Sequence, residues 1–359
     1  MVKVLFIYSG TDRRELEKRV VAGIDPDTSF FSYTHVAKDA RIEAEYLQIN
    51  KDSYTLFGGL IRKYPLLRVL YLYFKFYRLF QSQNVIVLTS SAYFDLLLLK
   101  GFGLLRRPRW IILNLDLTIL LTKVEESVVA KKSLMFKLKQ SEHIVCISEA
   151  QRKFLITKGF ASEQVSFVPL GVDKSFYQPI ERTGEFILTI GRDIGRDFQT
   201  FLEATRLSGE KTVMICSPKN IEGLEDRIPP NLTVLFDLPY QELKKYYQRA
   251  KLFVIATKPN EFLVGSDCPG QTVILDTLAY GVPVIATEMP WFEGYFENGK
   301  HLVVVPPRDP QALSQSFNNI IRDLELLERL SKEGRKLIVE KCNSETMGKA
   351  LTELILRVA

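Results

Sequence analysis

Residues 268–287 constrain the fold more than any other part of this 359-residue chain. Their end, Val282-Pro283-Val284-Ile285-Ala286-Thr287, is apolar without alternation, and a strand of that kind has to be covered on both faces. Helices crossing between parallel strands supply such cover, so the stretch calls for an α/β sheet. Upstream, residues 272–280 carry apolar side chains at helical spacing with Asp276 as the only charge. Gly281 fits the residue that ends this helix, and Pro283 prevents its resumption. Gly270 opens the helix, reaching backbone angles closed to other residues, and the amides of Gly270, Gln271 and Thr272 can point at an anion. A carboxylate just beyond a phosphate-sized cradle implies a sugar nucleotide. The amides would hold the diphosphate, and Asp276 would hold ribose hydroxyls without acid–base work.

The same grammar recurs along the chain. Residues 4–8 read as a buried strand running through Ser9-Gly10-Thr11 into a helix for which Asp12 and Glu15 can form a capping box. Gly10 is either a structural turn or a site loop. Residues 85–89 and 110–113 read as strands with a helix over 93–99 between them. A strand at 143–147, a helix to Lys158-Gly159 and a strand from Val165 follow. Residues 186–190 then form a strand that delivers Gly191-Arg192-Asp193-Ile194-Gly195-Arg196-Asp197 to a helix beginning near Phe198. Glycines free that loop while Arg192 and Arg196 supply fork-shaped donors, a combination suited to a diphosphate. The competing reading is a pair of surface arginines, which the helix N-terminus just beyond the loop disfavours. Strands at 212–216, 232–236 and 252–257 follow, with a helix over 240–250.

A chain of this length exceeds one ordinary core and suits two domains. With 46% hydrophobic and 25% charged residues it has a globular composition. Cys146, Cys216, Cys268 and Cys342 have neither disulfide nor metal-ligand spacing, which reads as reduced thiols in a cytoplasmic compartment. The N-terminal residues do not form a secretory signal, and no uncharged apolar run reaches the roughly 20 residues of a spanning helix. There is no P-loop, zinc spacing or dinucleotide fingerprint, and Gly101-Phe102-Gly103 is a weak match. His35, His143 and His301 sit in apolar contexts and read as structural.

The net charge of +6 matters where it clusters. Between Ser53 and Phe94 there is no acidic residue, while Arg62, Lys63, Arg68, Lys75 and Arg78 interleave with leucines, tyrosines and phenylalanines. A helix there would be apolar around most of its girth, with Arg68 and Lys75 on one side. Tyr with Lys or Arg settles at headgroup level, so the segment from Leu60 to Phe80 is expected to meet an anionic membrane surface. The alternatives are an ordinary domain helix with solvated cations, and RNA binding, for which no module signature is present. No nucleic-acid partner is expected.

Residues 268–287 resemble the retaining, nucleotide-sugar-dependent glycosyltransferases of the GT-B fold, in the large family four, also called glycosyl transferases group 1. In that family two glutamates separated by seven residues precede a small-residue helix and a Gly-x-Pro-Val strand. Asp276 falls on the second glutamate, Gly281-Val282-Pro283-Val284 matches the strand, and Cys268 stands in place of the first glutamate. Glu261 or Asp267 could replace it, Asp267 being adjacent. The order strand, Ser148-Glu149, helix, Gly159, strand, Pro169-Leu170-Gly171-Val172-Asp173 and Phe176 is similar to the close of that family's first domain. Asp25-Pro26-Asp27 is formally the Asp-x-Asp metal motif of the other major glycosyltransferase fold, but its proline and surroundings read as a solvated turn.

The resemblance implies two facing Rossmann-like doubly wound domains, 1–178 on the acceptor side and 179–342 on the nucleotide-sugar side, with a cleft between them. Residues 343–359 would form a helix crossing back to the first domain. It further implies Arg192 and Arg196 as phosphate ligands acting in catalysis, Gly191 beside them, Leu238 touching the base, and Gly10 near donor and acceptor. No cofactor and no metal are expected beyond the nucleotide sugar as co-substrate. The expected reaction is glycosyl transfer, with retention, to an acceptor hydroxyl on a saccharide, glycolipid or polysaccharide precursor, with the protein cytoplasmic and peripheral on a membrane. Two alternatives remain open: a catalytically silent nucleotide-sugar-binding subunit that lost the first glutamate, and a sugar-nucleotide epimerase.

Overall fold

The computed structural model describes residues 1–49, 64–259 and 266–359, so Leu60, Arg62, Lys63 and Glu261 lie outside the described residues. The chain forms two compact units.

The first unit comprises Met1–Ala22, Ser29–Pro169 and Ser344–Ala359. Its strands are β1 (Val2–Tyr8), β2 (Ile42–Gln48), β3 (Val85–Leu88), β4 (Arg109–Asn114), β5 (His143–Cys146) and β6 (Val165–Phe167). They pair in parallel in the order β2-β1-β3-β4-β5-β6, with Val4 opposite Val85 and Ile111 opposite His143. One face packs Leu5, Ile7, Ile86, Leu88, Trp110 and Ile112 into a core. The other turns Phe6 and Tyr8 into an aromatic cluster with Phe30, Tyr33 and Tyr46. Asp12 caps the helix Arg13–Val21 by accepting from the Arg14 and Glu15 amides. Residues 93–99 are not one helix: Ser90 starts a tight turn, Ser91–Leu96, and a short helix, Leu97–Gly101, follows. The closing helix Ser344–Val358 packs on Tyr33–Val36 with Gly348 at the crossing, where a side chain would come within 2.5 Å of His35 Cβ.

The basic-aromatic helix, Pro65–Ser82, is a domain helix on its inner side. Val69, Leu72 and Phe80 are buried in the core, and Tyr71, Tyr73, Phe76 and Leu79 pack against it. Arg68 forms an ion pair with Asp95, which Lys137 also meets at 2.8 Å. That corrects the expectation that Arg68 stands beside Lys75 as a surface cation. The carboxylate on the neighbouring turn, remote in sequence, was invisible to a reading confined to the acid-free run. The outward side still carries Leu66, Leu67, Phe74 and Tyr77 exposed, Phe74 at 74%. No helix among the described residues is long and apolar enough to cross a membrane.

His143 is buried on β5 with Nε2 2.9 Å from Ser166 Oγ, and burial, aided by Arg357, lowers its pKa to about 4. Below about pH 6.5 the unfolded chain takes up a proton that the folded imidazole refuses, so stability should fall with pH until about 4, by up to about 3 kcal/mol. Urea unfolding of wild type and His143→Gln at pH 7 and pH 4.5 measures this. The acid-induced loss should be smaller in the variant, and an equal loss would contradict the assignment.

The second unit comprises Gly23–Thr28 and Leu170–Asn343. Its strands are β7 (Phe186–Ile190), β8 (Thr212–Cys216), β9 (Leu232–Phe236), β10 (Ala250–Ile255), β11 (Val284–Thr287) and β12 (Val303–Val305). The parallel order is β12-β11-β10-β7-β8-β9, so the chain leaves β7 on one side and returns on the other at β10. Such a switch point opens a crevice at the carboxyl ends of the two strands, where ligands bind in sheets of this kind. Asp25-Pro26-Asp27 is not a solvated turn. Pro26 and Asp27 are buried, the Asp27 amide donates to Asp173 Oδ2 at 3.3 Å, and the Asp173 amide donates to Thr28 Oγ1 at 3.3 Å. Asp173, far away in sequence, supplies the acceptor that makes burial tolerable.

Candidate functional site

The loops leaving β7 and β10 meet at the crevice. Arg196 bridges Thr257, the Asp197 amide donates to Ala256 O at 3.0 Å, and Asp197 then caps the helix Phe198–Ser208 through the Thr200 amide and hydroxyl. The Arg196 side chain turns back over Gly191. A Cβ on Gly191 would lie 2.4 Å from Arg196 Nη2 and 2.5 Å from Nε, so only glycine lets the guanidinium rest there. Arg196 is 4% exposed; Nη2 donates to Ile190 O, and Nε has no partner among the described residues. Burial lowers its pKa to about 10, offset in part by Asp193 and Tyr247, so it remains a cation at neutral pH. No carboxylate among the described residues pairs with it. A buried cation without a counter-ion is costly and is stabilised when an anion arrives.

That anion would face a helix N-terminus. Gly270, at φ +78°, precedes the helix Gln271–Ala279, and a Cβ there would meet Ile255 Cδ1 at 2.2 Å. The amide cradle differs from the one read in sequence. Gln271 N already donates to Cys268 O at 3.1 Å, while the Thr272 and Val273 amides have no hydrogen-bond partner among the described residues. Those two are among the orphan donors of a first helical turn. Gly191, Arg192, Asp193, Arg196, Cys268, Gly270, Gln271, Thr272 and Val273 line a cavity of 210 Å³ here.

An adjoining cavity of 500 Å³ shares Gly191, Arg192 and Val273 as walls. Ile190, Ile215, Leu238, Pro239, Leu243 and Tyr247 make it largely apolar, and Asp276 supplies a buried carboxylate. Arg192 stands between the two cavities in a different state from Arg196. It is exposed, its Nε lies 3.2 Å from Asp237 Oδ1, and Nη2 donates to Leu238 O at 3.4 Å. Asp276 Oδ2 accepts from Tyr240 Oη at 2.7 Å, while Oδ1 is buried without a partner among the described residues. Burial raises the Asp276 pKa to about 7, against the opposing pull of the tyrosine hydroxyls. The carboxyl therefore exchanges a proton near neutral pH, which the expectation of a carboxylate free of acid–base involvement did not include.

Gly191, Arg192, Arg196, Leu238, Gly270, Gln271, Thr272 and Asp276 thus come together around two adjoining cavities. Asp267 is buried but belongs to neither wall, whereas Cys268 lines the smaller one. Gly10, at φ +82° with open space around it, lies in the first unit. The sequence reading missed Val273, whose contribution is an amide and leaves no side-chain signal. It also missed Tyr240, which the helix start just after Leu238-Pro239 could have flagged.

A larger cavity of 620 Å³ is lined by Asp197, Glu203, Arg206, Arg227, Lys258 and Arg308, among others. Glu203 and the Arg227 carbonyl hold Arg206, Ile194 O holds Lys258, and no buried partnerless side-chain atom among the described residues borders it. Among the described residues, no group of three or more His, Cys, Asp or Glu side chains could hold a metal ion.

Residues 219–337, about a third of the chain, match the family model described as glycosyl transferases group 1. The matched span includes Leu238, Gly270 and Asp276 but not the Arg192–Arg196 loop. No curated protein sequence matches the chain. Among solved structures, sucrose-phosphate synthase from Thermosynechococcus elongatus superposes with a TM-score of 0.73 at 16% identity, covering 99% of both chains. HepE from Anabaena in complex with UDP and glucose gives 0.70 at 13% identity, over 99% of this chain and 100% of that one. The lipopolysaccharide outer core galactosyltransferase WaaB in its apo form gives 0.65 at 11%, over 99% of both. The chain therefore has the GT-B fold of these proteins, built from two Rossmann-like α/β units.

Proposed function

We propose that the chain is a glycosyltransferase that moves a sugar, with retention, from a nucleotide diphosphate sugar to an acceptor hydroxyl, without a bound metal, as in family four. One observation carries the reading. Of the buried side-chain polar atoms without partners among the described residues of the second unit, two of three, Arg196 Nε and Asp276 Oδ1, belong to residues bordering the adjoining cavities. One is a donor on a cation, the other an acceptor on a carboxyl, and a nucleoside diphosphate answers both: phosphate oxygens to the first, a ribose hydroxyl to the second. The base would occupy the apolar walls at Leu238, Pro239 and Leu243. Arg196, Arg192 and the open amides of Thr272 and Val273 would then stabilise charge growing on the leaving diphosphate, a mechanism needing no enzymic nucleophile. Calorimetric titration with UDP, GDP, ADP and TDP tests the binding half. One should bind with Arg196-dependent affinity, and none binding would overturn the reading.

HepE is seen with UDP and glucose, and WaaB is a lipopolysaccharide galactosyltransferase. By analogy the donor here would be a hexosyl nucleotide and the acceptor a saccharide or glycolipid. The first unit supports a site at the cytoplasmic face of an anionic membrane through Leu66, Leu67, Phe74 and Tyr77, beside Lys75 and Arg78. Each cation near such a surface contributes on the order of 1 kcal/mol, and the apolar contribution is not screened by salt. Since Arg68 is held by Asp95, the informative change is Lys75→Glu with Arg78→Glu. Wild type should float with anionic but not neutral liposomes and the double variant with neither; equal flotation of both proteins would remove this helix from membrane binding, and no flotation of wild type would remove the membrane.

Cys268 supports the second reading, a nucleotide-sugar-binding subunit without turnover, because it lines the 210 Å³ cavity where the family carries a glutamate. That reading forecasts binding with no donor consumed.

A further inference from the structure

Asp276 owes its orientation to a chain of hydroxyls. Tyr240 Oη donates to Oδ2 at 2.7 Å, and the Tyr240 and Tyr177 hydroxyls are hydrogen bonded to each other. A phenol has one proton to donate. Tyr240 directs its proton at Asp276, so Tyr177 is the donor between the two tyrosines, and the chain runs from Tyr177 through Tyr240 to the carboxyl. Tyr177 is its fixed end, 1% exposed, with ring centroids 5.1 Å from both Phe176 and Tyr280. Tyr240 is 37% exposed, its ring forming cavity wall while its hydroxyl points inward. The other titratable groups around the carboxyl are Tyr247 and Tyr280, with Arg192 on the same cavity wall. Arg335, from the helix Leu324–Glu340, donates to the Tyr177 and Ala279 carbonyls. Among the described residues, no cation is bonded to Asp276.

Resting on the nucleotide reading of this cavity, we propose that Tyr240, aligned by Tyr177, is a positioning residue that fixes the Asp276 carboxyl so that one oxygen, Oδ1, meets one sugar hydroxyl of the nucleoside. Oδ2 is engaged by Tyr240, and Oδ1 is the atom left bare. When the carboxyl is ionised, Oδ1 accepts a hydroxyl proton in a charge-assisted bond, stronger than the bond a neutral carboxyl would make there. Ligand binding therefore favours the ionised form, and so does the Tyr240 bond. Removing the Tyr240 hydroxyl should move the carboxyl midpoint upward from about 7 and free the carboxyl to rotate.

The test is calorimetric titration from pH 5.5 to 9 of wild type, Tyr240→Phe, Tyr177→Phe and Asp276→Asn. The probe is UDP, or whichever of GDP and ADP binds, together with its 2′-deoxy and 3′-deoxy analogues. Wild-type affinity should rise about tenfold with pH across neutrality, and one deoxy analogue alone should bind more weakly. Tyr240→Phe should lose about tenfold or more at pH 7, recover most of it at pH 9, and lose the discrimination between analogues. Tyr177→Phe should move the same way by less, and Asp276→Asn should be flat with pH. A Tyr240→Phe loss equal at every pH, no loss at all, or equal losses for both analogues in wild type would overturn the proposal. A ligand-free arm separates it from the reading beneath it: the Asp276 midpoint, taken from the pH dependence of stability with and without Asp276→Asn, in the wild-type and Tyr240→Phe backgrounds. An upward shift here, combined with no nucleoside diphosphate binding in the titrations, keeps Tyr240 as the positioning residue and defeats the nucleotide reading. An unmoved midpoint defeats the positioning itself.

Discussion

Arg196→Ala is expected to lower nucleoside diphosphate affinity by about two orders of magnitude while leaving the second unit folded. The wild-type guanidinium is a buried cation with a partnerless Nε, so removing it relieves a charge that Asp193 only partly offsets in the empty protein and withdraws charge-assisted bonds from the occupied one. Each such bond contributes about 1.5–3 kcal/mol, and two of them suffice for the expected loss. Gly191→Ala offers an independent route to the same end. Its Cβ would lie 2.4 Å from Arg196 Nη2, so alanine should displace the guanidinium without altering any charge, and should reproduce most of the loss. Arg192→Ala should cost about tenfold or less, because Arg192 is an exposed side chain already shared between Asp237 and Leu238 O. Calorimetry with melting curves as a folding check measures all three. Arg196→Ala binding as tightly as wild type would remove the buried cation from the site.

The second large effect concerns Asp276, through both stability and binding. Its pKa rises from 3.8 in the unfolded chain to about 7 in the fold because burial disfavours the charged form. A carboxyl with a raised folded pKa contributes stability that is fully present below the unfolded value and is lost as pH rises through the folded one. Unliganded protein should therefore weaken between about pH 4 and pH 7 by up to a few kcal/mol. Asp276→Asn lacks this loss and should be the more stable protein at pH 8, yet bind the nucleoside diphosphate about ten- to a hundredfold more weakly there. At pH 6, where wild-type Asp276 is largely neutral, the two should bind more alike. This trend opposes that of His143, which sits in the other unit, so comparing wild type with each variant separates them. An Asp276→Asn protein no more stable than wild type at pH 8 would contradict the buried, titrating carboxyl.

Most strands were legible because a parallel strand covered on both faces is a continuous apolar run, and 186–190, 212–216 and 232–236 coincide with β7, β8 and β9. The edge strand β2 was not, since Glu43 and Glu45 alternate with Ile42, Ala44 and Tyr46 and half of it faces outward. The glycine-bounded helix after β10 and the loop after β7, each suited by residue type and order to an anion, line one 210 Å³ cavity. What residue type did not carry was the difference between the two arginines: Arg196 lies buried on Gly191, while Arg192 reaches outward to Asp237. Nor did it reveal that Gln271 N is taken by Cys268 O, or that Tyr177, 63 residues before Tyr240, completes the hydroxyl chain behind Asp276. Those depend on contacts between segments far apart in sequence.

Nucleoside diphosphate release from a panel of UDP-, GDP-, ADP- and TDP-linked hexoses, with and without lipid vesicles carrying saccharide acceptors, decides between a transferase and a binding subunit. One donor family should be consumed, an acceptor should accelerate release, and Arg196→Ala should abolish it. Consumption of no donor by wild type, under conditions where the nucleoside diphosphate binds, would contradict the transferase and leave the silent binding subunit in its place.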